Sequence, residues 1–248
     1  MTGIKYEFYG KNNLRSEVRL EGENITGKCC KYYYPNGNVQ FEGQLVKNIK
    51  EGFGIEYFDT NNDNRIKYEG LFKNDLYHGK GQNKLYHMLY GLCFCGEFYE
   101  GQPLNGKEIE YYNQNNVKKE VWLKNGVIHG EWNKFWFANG YLEWEGRMVD
   151  GKRNGRGKEY YKRGKHLKYC GGYYEDTQYG EFVKCYDSNG KLKYHGTFVE
   201  GKPYGFGRGF YANGQIRYIG PAHDGDIIKT HNYIGVKRPE FDVYYPQF

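Results

Sequence analysis

The sequence predicts an all-β protein, an elongated single antiparallel meander of repeated β-hairpins with very little helix. Three observations carry this expectation. A five-residue motif, aromatic-X-Gly-X-aromatic or aliphatic, recurs with a period close to 25 residues along the 248-residue chain. Aromatic residues make up 19% of the chain, with 28 Tyr, 15 Phe and 4 Trp, although only 38% is hydrophobic and the mean hydropathy is −0.93. Rings favour strands and bury large areas while keeping a polar tip wet, so a low hydropathy is compatible with a folded, β-rich chain. Finally, 36 glycines stand against 6 prolines, and no stretch shows a helical period with caps, which predicts tight turns rather than helices or proline-rich linkers.

In chain order the copies are "LEGEN" at 20, "FEGQL" at 41, "YEGLF" at 68, "FCGEF" at 94, "KEVWL" at 119, "WEGRM" at 144, "YCGGY" at 169, "YHGTF" at 194 and "YIGPA" at 218. The first and last are degenerate. Their central glycines are Gly22, Gly43, Gly70, Gly96, Gly146, Gly171, Gly196 and Gly220, with Glu120 read as occupying the glycine slot of the fifth copy. Within a copy, alternate residues share a face, so Tyr68, Gly70 and Phe72 point one way and Glu69 and Leu71 the other. A glycine between two rings leaves room for a neighbouring ring. Each motif is followed by a charged turn such as "KNDLYHG" or "VDGKRNG", a return strand, and then a turn containing Asn-Gly. The pairs Asn36-Gly37, Asn139-Gly140, Asn189-Gly190 and Asn213-Gly214 are expected as hairpin turns, the type I′ form requiring positive φ at both central residues. Residues 18–220 thus form the repeat region, residues 1–17 an N-terminal cap or extension, and residues 221–248 a non-repeat C-terminal arm ending in "VKRPEFDVYYPQF".

The candidate chemistry is mostly explained by the repeat. Gly-X-Gly pairs at Gly79 and Gly81, Gly155 and Gly157, and Gly205 and Gly207 look like phosphate cradles, yet such a cradle joins a strand to a helix N-terminus and none is predicted. His78 and His129 precede glycines in equivalent slots and His195 stands where other copies have Glu, while His87, His166, His223 and His231 show no metal-ligand spacing. Cys93-X-Cys95 offers two thiols where a tetrahedral site needs four ligands, and Cys95 and Cys170 share one repeat slot. The six cysteines are not spaced as a secreted disulfide framework. No catalytic residue, cofactor or metal site is therefore assigned, and the protein is expected not to be an enzyme.

The net charge of +6, from 36 Lys and Arg against 30 Asp and Glu, is spread along the chain. Lysines interleave with rings in "EYYKRGKHLKYC", but the rings recur at strand period, as a shared core requires, so nucleic acid is not expected as a partner. The basic "KRGKHLK" at 162–168 could attract an anionic membrane, and with no amphipathic helix or acyl signal such contact would be weak. No apolar leader or spanning run is present, which predicts a soluble, cytoplasmic protein.

"YEGLFKNDLYHGKGQNKLY" at 68–86 and "YHGTFVEGKPYGFGRGFY" at 194–211 resemble MORN repeats, and "GEWNKFWFANGYLEWEG" at 130–146 resembles the variant of that repeat found in antitoxin-like proteins. The resemblance covers about residues 18–220 and implies a hairpin sheet with Gly43, Gly70, Gly96, Gly146, Gly171, Gly196, Gly79, Gly81, Gly155, Gly157, Gly205 and Gly207 as structural repeat positions. It also implies a scaffold that binds other proteins of a large assembly, often as a homo-oligomer, in cilia, axonemes or another part of the cytoskeleton. A peripheral adaptor on anionic phospholipid and an antitoxin-like binder of a partner enzyme are the alternatives.

Overall fold

The computed structural model describes residues 2–9, 14–21, 24–60 and 64–227. Gly22 and the expected arm from residue 228 onward lie outside the described residues. The described chain contains strands and turns and no helix, so the all-β hairpin meander is what the protein adopts. It divides into two compact units, Met1–Gly130 and Glu131–Phe248.

The first unit holds β1 (Thr2–Phe8), β2 (Leu14–Glu21), β3 (Asn24–Ile25), β4 (Gly27–Tyr33), β5 (Val39–Val46), β6 (Ile49–Tyr57), β7 (Ile66–Lys73), β8 (Leu76–Tyr77), β9 (Gly79–His87), β10 (Gly91–Tyr99), β11 (Gln102–Asn113), β12 (Asn116–Lys124) and β13 (Val127–Ile128). Each long strand pairs antiparallel with the next, from β1 with β2 through to β11 with β12. The second unit begins within β14 (Gly130–Trp136) and continues as β15 (Leu142–Val149), β16 (Lys152–Tyr160), β17 (Leu167–Tyr174), β18 (Thr177–Tyr186), β19 (Leu192–Val199), β20 (Lys202–Phe210), β21 (Ile216–His223) and β22 (Asp226–Ile227). From β15 to β22 each again pairs with its successor.

The motif has a simple physical basis. The ring at its first position lies along its own strand and covers the glycine two residues on. A Cβ added to Gly43 would stand 2.8 Å from the Phe41 ring and 2.5 Å from the Cα of Gly54, its partner on β6. At Gly196 the same atom would meet the Tyr194 hydroxyl at 2.5 Å and the Cα of Gly207 at 2.6 Å. Paired glycines on adjacent strands thus form a floor on which one ring lies. The rings then pack edge-to-face: Tyr68 with Phe72 at 5.1 Å and with Phe98 at 5.4 Å in the first unit, and Tyr169 with Tyr173 at 5.1 Å in the second. Such contacts add about 0.5–1.5 kcal/mol per pair beyond burial. The buried hydroxyls keep partners, for Tyr68 donates to the Leu71 carbonyl at 2.8 Å and Tyr169 to that of Gly172 at 2.6 Å.

Two expectations need correction. The fifth copy does not place Glu120 in the glycine slot. Leu123 pairs with Ile128 as Phe72 pairs with Tyr77, which puts Val121, fully buried, at the position of Gly70. No ring precedes it, since Lys119 stands where Tyr68 stands, so the space is free for a valine side chain. Glu120 instead points to the other face and pairs with Lys107 at 2.7 Å.

The Asn-Gly turns are hairpin turns of a different type. Gly37, Gly140, Gly190 and Gly214 are left-handed, but the asparagines before them are not. Tyr34 N–H donates to Asn38 O and Gly37 N–H to Tyr34 O, at 2.8 and 2.9 Å, and the other three loops repeat the pattern. This is the three-residue loop, a type I turn closed by a left-handed residue. Positive φ at both central residues occurs instead in the charged turns, at Lys47-Asn48, Asn74-Asp75, Glu175-Asp176 and Glu200-Gly201 among others. There the second residue also binds the preceding repeat: Asp75 and Asp176 each accept, through Oδ1, the backbone N–H of Lys50 and Arg153 at 2.8 and 2.9 Å, and they donate their own N–H to the Lys50 and Arg153 carbonyls.

Candidate docking surface

The repeat glycines divide by role. Gly43, Gly70, Gly96, Gly146, Gly171 and Gly196 face the core side under rings or against the partner strand, as do Gly157 and Gly207 on the return strands. Gly79, Gly155 and Gly205 take positive φ of 97°, 97° and 66° where the return strands begin, and Gly81, at 115°, has open space around it. None of them meets a helix. On β9 the register places Asn83, not Gly81, against Gly70: Asn83 is buried, donates to the carbonyls of Gly79 and Gly96 at 2.9 Å, and accepts from Leu71 N–H at 2.9 Å.

The core side carries one further polar cluster in each unit. In the first, Lys50 lies 4.9 Å from the Phe41 ring centroid and pairs with Glu56 at 2.9 Å, and the Tyr77 hydroxyl donates to Glu56 at 2.5 Å. Burial opposes ionisation of Glu56, but the Tyr77 hydroxyl and the Lys50 and Lys67 ammoniums outweigh it, leaving the carboxyl below its ordinary range. In the second, Arg153 lies 4.9 Å from the Tyr173 ring centroid and Glu159 accepts from Lys168 at 2.5 Å. These residues close the edge of a ring core; they form no cleft with a nucleophile and base.

His78 and His87 pack on rings, and His231 lies outside the described residues. His87 stacks on Tyr90 at 4.1 Å and His78 tilts against Tyr99 at 5.4 Å. All six cysteines are free, and burial pushes the Cys185 thiol up to about 12 and the Cys93 thiol above its usual range. Among the described residues no group of three or more His, Cys, Asp or Glu side chains is placed to hold a metal, and no helix is long and apolar enough to cross a membrane.

The face away from the rings is where the units present side chains to solvent. Residues directly opposite on paired strands project to the same side, so the register defines rows across the sheet. In the first unit one row runs Lys31, Glu42, Ile55, Glu69, Lys84, Cys95 and Lys107. Its charges are paired: Lys31 with Glu42 at 3.2 Å, Lys84 with Glu69 at 3.4 Å and Lys107 with Glu120 at 2.7 Å. In the second unit the corresponding row runs Glu145, Lys158, Cys170, Lys184, His195, Arg208 and Ile219. Lys158 pairs with Glu145 at 3.3 Å, whereas Lys184, His195 and Arg208 have no ion-pair partner among the described residues. Burial, then Lys184 and Arg208, hold the His195 imidazole below its ordinary pKa.

Large apolar side chains accompany this row. Phe182 is 75% exposed, Phe206 51% and Ile219 51%. Trp132 is likewise 75% exposed, and both Trp132, early in β14, and Phe182, at a register break within β18, hold left-handed φ, 55° and 56°. A bulky non-glycine residue in that region costs about 1–2 kcal/mol. Sequence reasoning missed this surface, because Lys184, His195 and Arg208 are separated by 11 and 13 residues and only the pairing register aligns them. The recoverable signal is the slot itself: His195 stands where Glu42, Glu69 and Glu145 stand in other copies.

The family comparisons agree with this construction. The MORN repeat model matches residues 41–62, 68–82 and 144–166, and the MORN repeat variant matches residues 28–48 and 183–200. No curated protein matches the chain. The matched segments contain the rings of Phe41, Tyr68, Trp144 and Tyr194 and the motif glycines Gly43, Gly70, Gly146 and Gly196 that help build the hairpin stack, and on that ground the chain carries MORN repeats.

Proposed function

We propose that this protein is a non-enzymatic scaffold that holds other proteins on the outer faces of its hairpin units, as a component of a eukaryotic ciliary, axonemal or other cytoskeletal assembly. The observation that carries this reading is the pair Trp132 and Phe182, each three-quarters exposed and held in a backbone conformation that folding alone does not favour. Strain retained at an exposed aromatic side chain points to selection for contact rather than for stability. MORN repeats are generally found in scaffolds that bind proteins or membranes, and proteins built of them are typically not enzymes. The hairpin stack suits this use, since its glycine floors and stacked turns set side chains on strands rather than on loops.

Affinity purification of the full chain from its native source, followed by identification of stoichiometric neighbours, tests the reading. Recovery with several subunits of one filamentous assembly is expected. Recovery as a free monomer would overturn it. One small enzyme bound at equal stoichiometry would favour the antitoxin-like alternative, and turnover of a phospholipid or peptide by the purified chain would end the non-enzymatic assignment.

A further inference from the structure

We propose that the outer face of β18 to β20 in the second unit is an anion-reading strip, centred on Lys184, His195 and Arg208, that docks an acidic segment of a partner protein. This rests on the scaffold reading and names the chemistry of one of its partners. Lys184 opposes His195 and His195 opposes Arg208, so the three side chains stand in one file across three adjacent strands. Neighbouring strands lie about 4.8 Å apart, which makes the file about 10 Å long. Carboxylates at i and i+3 or i+4 on a helix are spaced by about 5–6 Å and fit such a file. Phe206 precedes Arg208 by two residues on the same strand and therefore shares its face, and the exposed Ile219 stands opposite Arg208 on β21. The strip thus offers cations beside exposed apolar side chains, the complement of a segment with carboxylates on one stripe and apolar side chains on the next.

Charge complementarity favours a protein segment over a membrane. A flat anionic surface would first meet cations at the protruding turns, where Lys152 and Lys202 are tied to Glu175 and Asp224 at 3.2 and 2.6 Å and Lys162, Arg163 and Lys165 share one exposed turn. The cations of the file lie instead on a strand face, flanked by residues of limited height such as Thr197 and Cys170, where a protruding segment reaches them more readily than a flat surface does. The row also has a built-in titration. Lys184 on β18 and Arg208 on β20 face His195 from both sides, and Lys193 lies two residues away on its own strand. With no carboxylate opposite, His195 is neutral at physiological pH in the free protein and takes up a proton when an acidic group docks, so binding tightens as pH falls through its titration.

The test uses the full chain and a fluorescently labelled synthetic peptide in which pairs of glutamates alternate with pairs of leucines, read by anisotropy. Three controls accompany it: a lysine-for-glutamate version of the peptide, phosphatidylserine vesicles, and single-stranded oligodeoxynucleotide. The glutamate peptide is expected to bind, to weaken with salt, and to lose affinity by roughly tenfold or more in the double variant Lys184→Glu/Arg208→Glu. The variant Lys152→Glu/Lys202→Glu, an equal charge change at the turns, is expected to bind as the wild type does, and His195→Gln is expected to remove the pH-dependent step alone. Equal binding by the two double variants would overturn the proposal, as would preference for the vesicles or the oligonucleotide. Thermal midpoints of both double variants identify a folding defect. Purification from the native source with wild type and Lys184→Glu/Arg208→Glu then separates the two readings: partners retained by both refute the strip and leave the scaffold standing, and partners found with neither refute the scaffold.

Discussion

The outer rows of the two units begin alike and diverge. In the first unit acids and bases face each other across adjacent strands, Lys31 with Glu42 and Glu69 with Lys84. In the second the pattern starts the same way, with Glu145 and Lys158, and then gives way to Lys184, His195 and Arg208 with no acid among them. The core sides share one plan, for both units lay a ring over a glycine pair, Phe41 over Gly43 and Gly54, Tyr194 over Gly196 and Gly207. Ring and glycine constrain each other through contact, so that side cannot drift without loss of folding. The outer side chains reach solvent, where one charge exchanged for another changes stability little. Recognition can therefore be written on the outer face of a repeat whose core side stays constant.

The comparison is broken most severely at the glycine floor. Gly196→Val would place a side chain against the Tyr194 ring and the Gly207 backbone, neither of which can retreat, and should cost about 3 kcal/mol in urea or thermal unfolding. An unchanged midpoint would show that the ring does not lie on the glycine. The fifth copy provides the converse. Val121→Gly removes a fully buried side chain with no ring to replace it and should destabilise by about 2 kcal/mol. Adding Lys119→Tyr is expected to recover part of that loss by supplying the missing ring, and no recovery would mean that the fifth copy is built on a different plan. Both substitutions are read by the same circular dichroism melts.

A smaller effect of opposite sign is expected at the exposed rings. Trp132→Gly relieves a left-handed conformation without removing buried area and should raise stability by about 1 kcal/mol while weakening any partner that uses the ring. A lower melting midpoint would show that Trp132 contributes to folding instead.

The smallest effect separates the paired from the unpaired charges by pH. The folded-state pKa of Glu56 lies below its ordinary value of 4.5, so its contribution is present above that pH and is lost as pH falls through the folded value. The stability advantage of wild type over Glu56→Gln should accordingly shrink in acid, and parallel pH profiles for the two proteins would contradict the pairing. His195 on the other unit carries a dependence of the same sign, displaced toward the histidine range. Its pKa is depressed in the free protein, so the stability that its neutral form retains is present above the ordinary histidine range and falls away in acid.

Much of this was legible in the residues. The motif, its period and its strand alternation lead directly to hairpins and to a ring core, because a glycine between rings has few other uses and alternation fixes the face. The slot of the fifth copy was misread by one residue. Lys119 lacks the ring that marks the motif, and only the pairing of Leu123 with Ile128 restores the phase. Turn type was misread for a related reason, since Asn-Gly favours left-handed φ at both residues only when the loop has two residues, and here Tyr34 and Asn38 close around three.

By itself the sequence determined the all-β class, the hairpin repeat and the membership of Phe41, Tyr68, Tyr169 and Phe198 in the core, because these follow from local chemistry repeated at a fixed interval. Only the tertiary structure decided which charges meet. An ion pair between strands depends on register, and register depends on every bulge and turn before it, so the pairing of Lys84 with Glu69 and the unpaired file of Lys184, His195 and Arg208 emerge only once the strands are laid side by side.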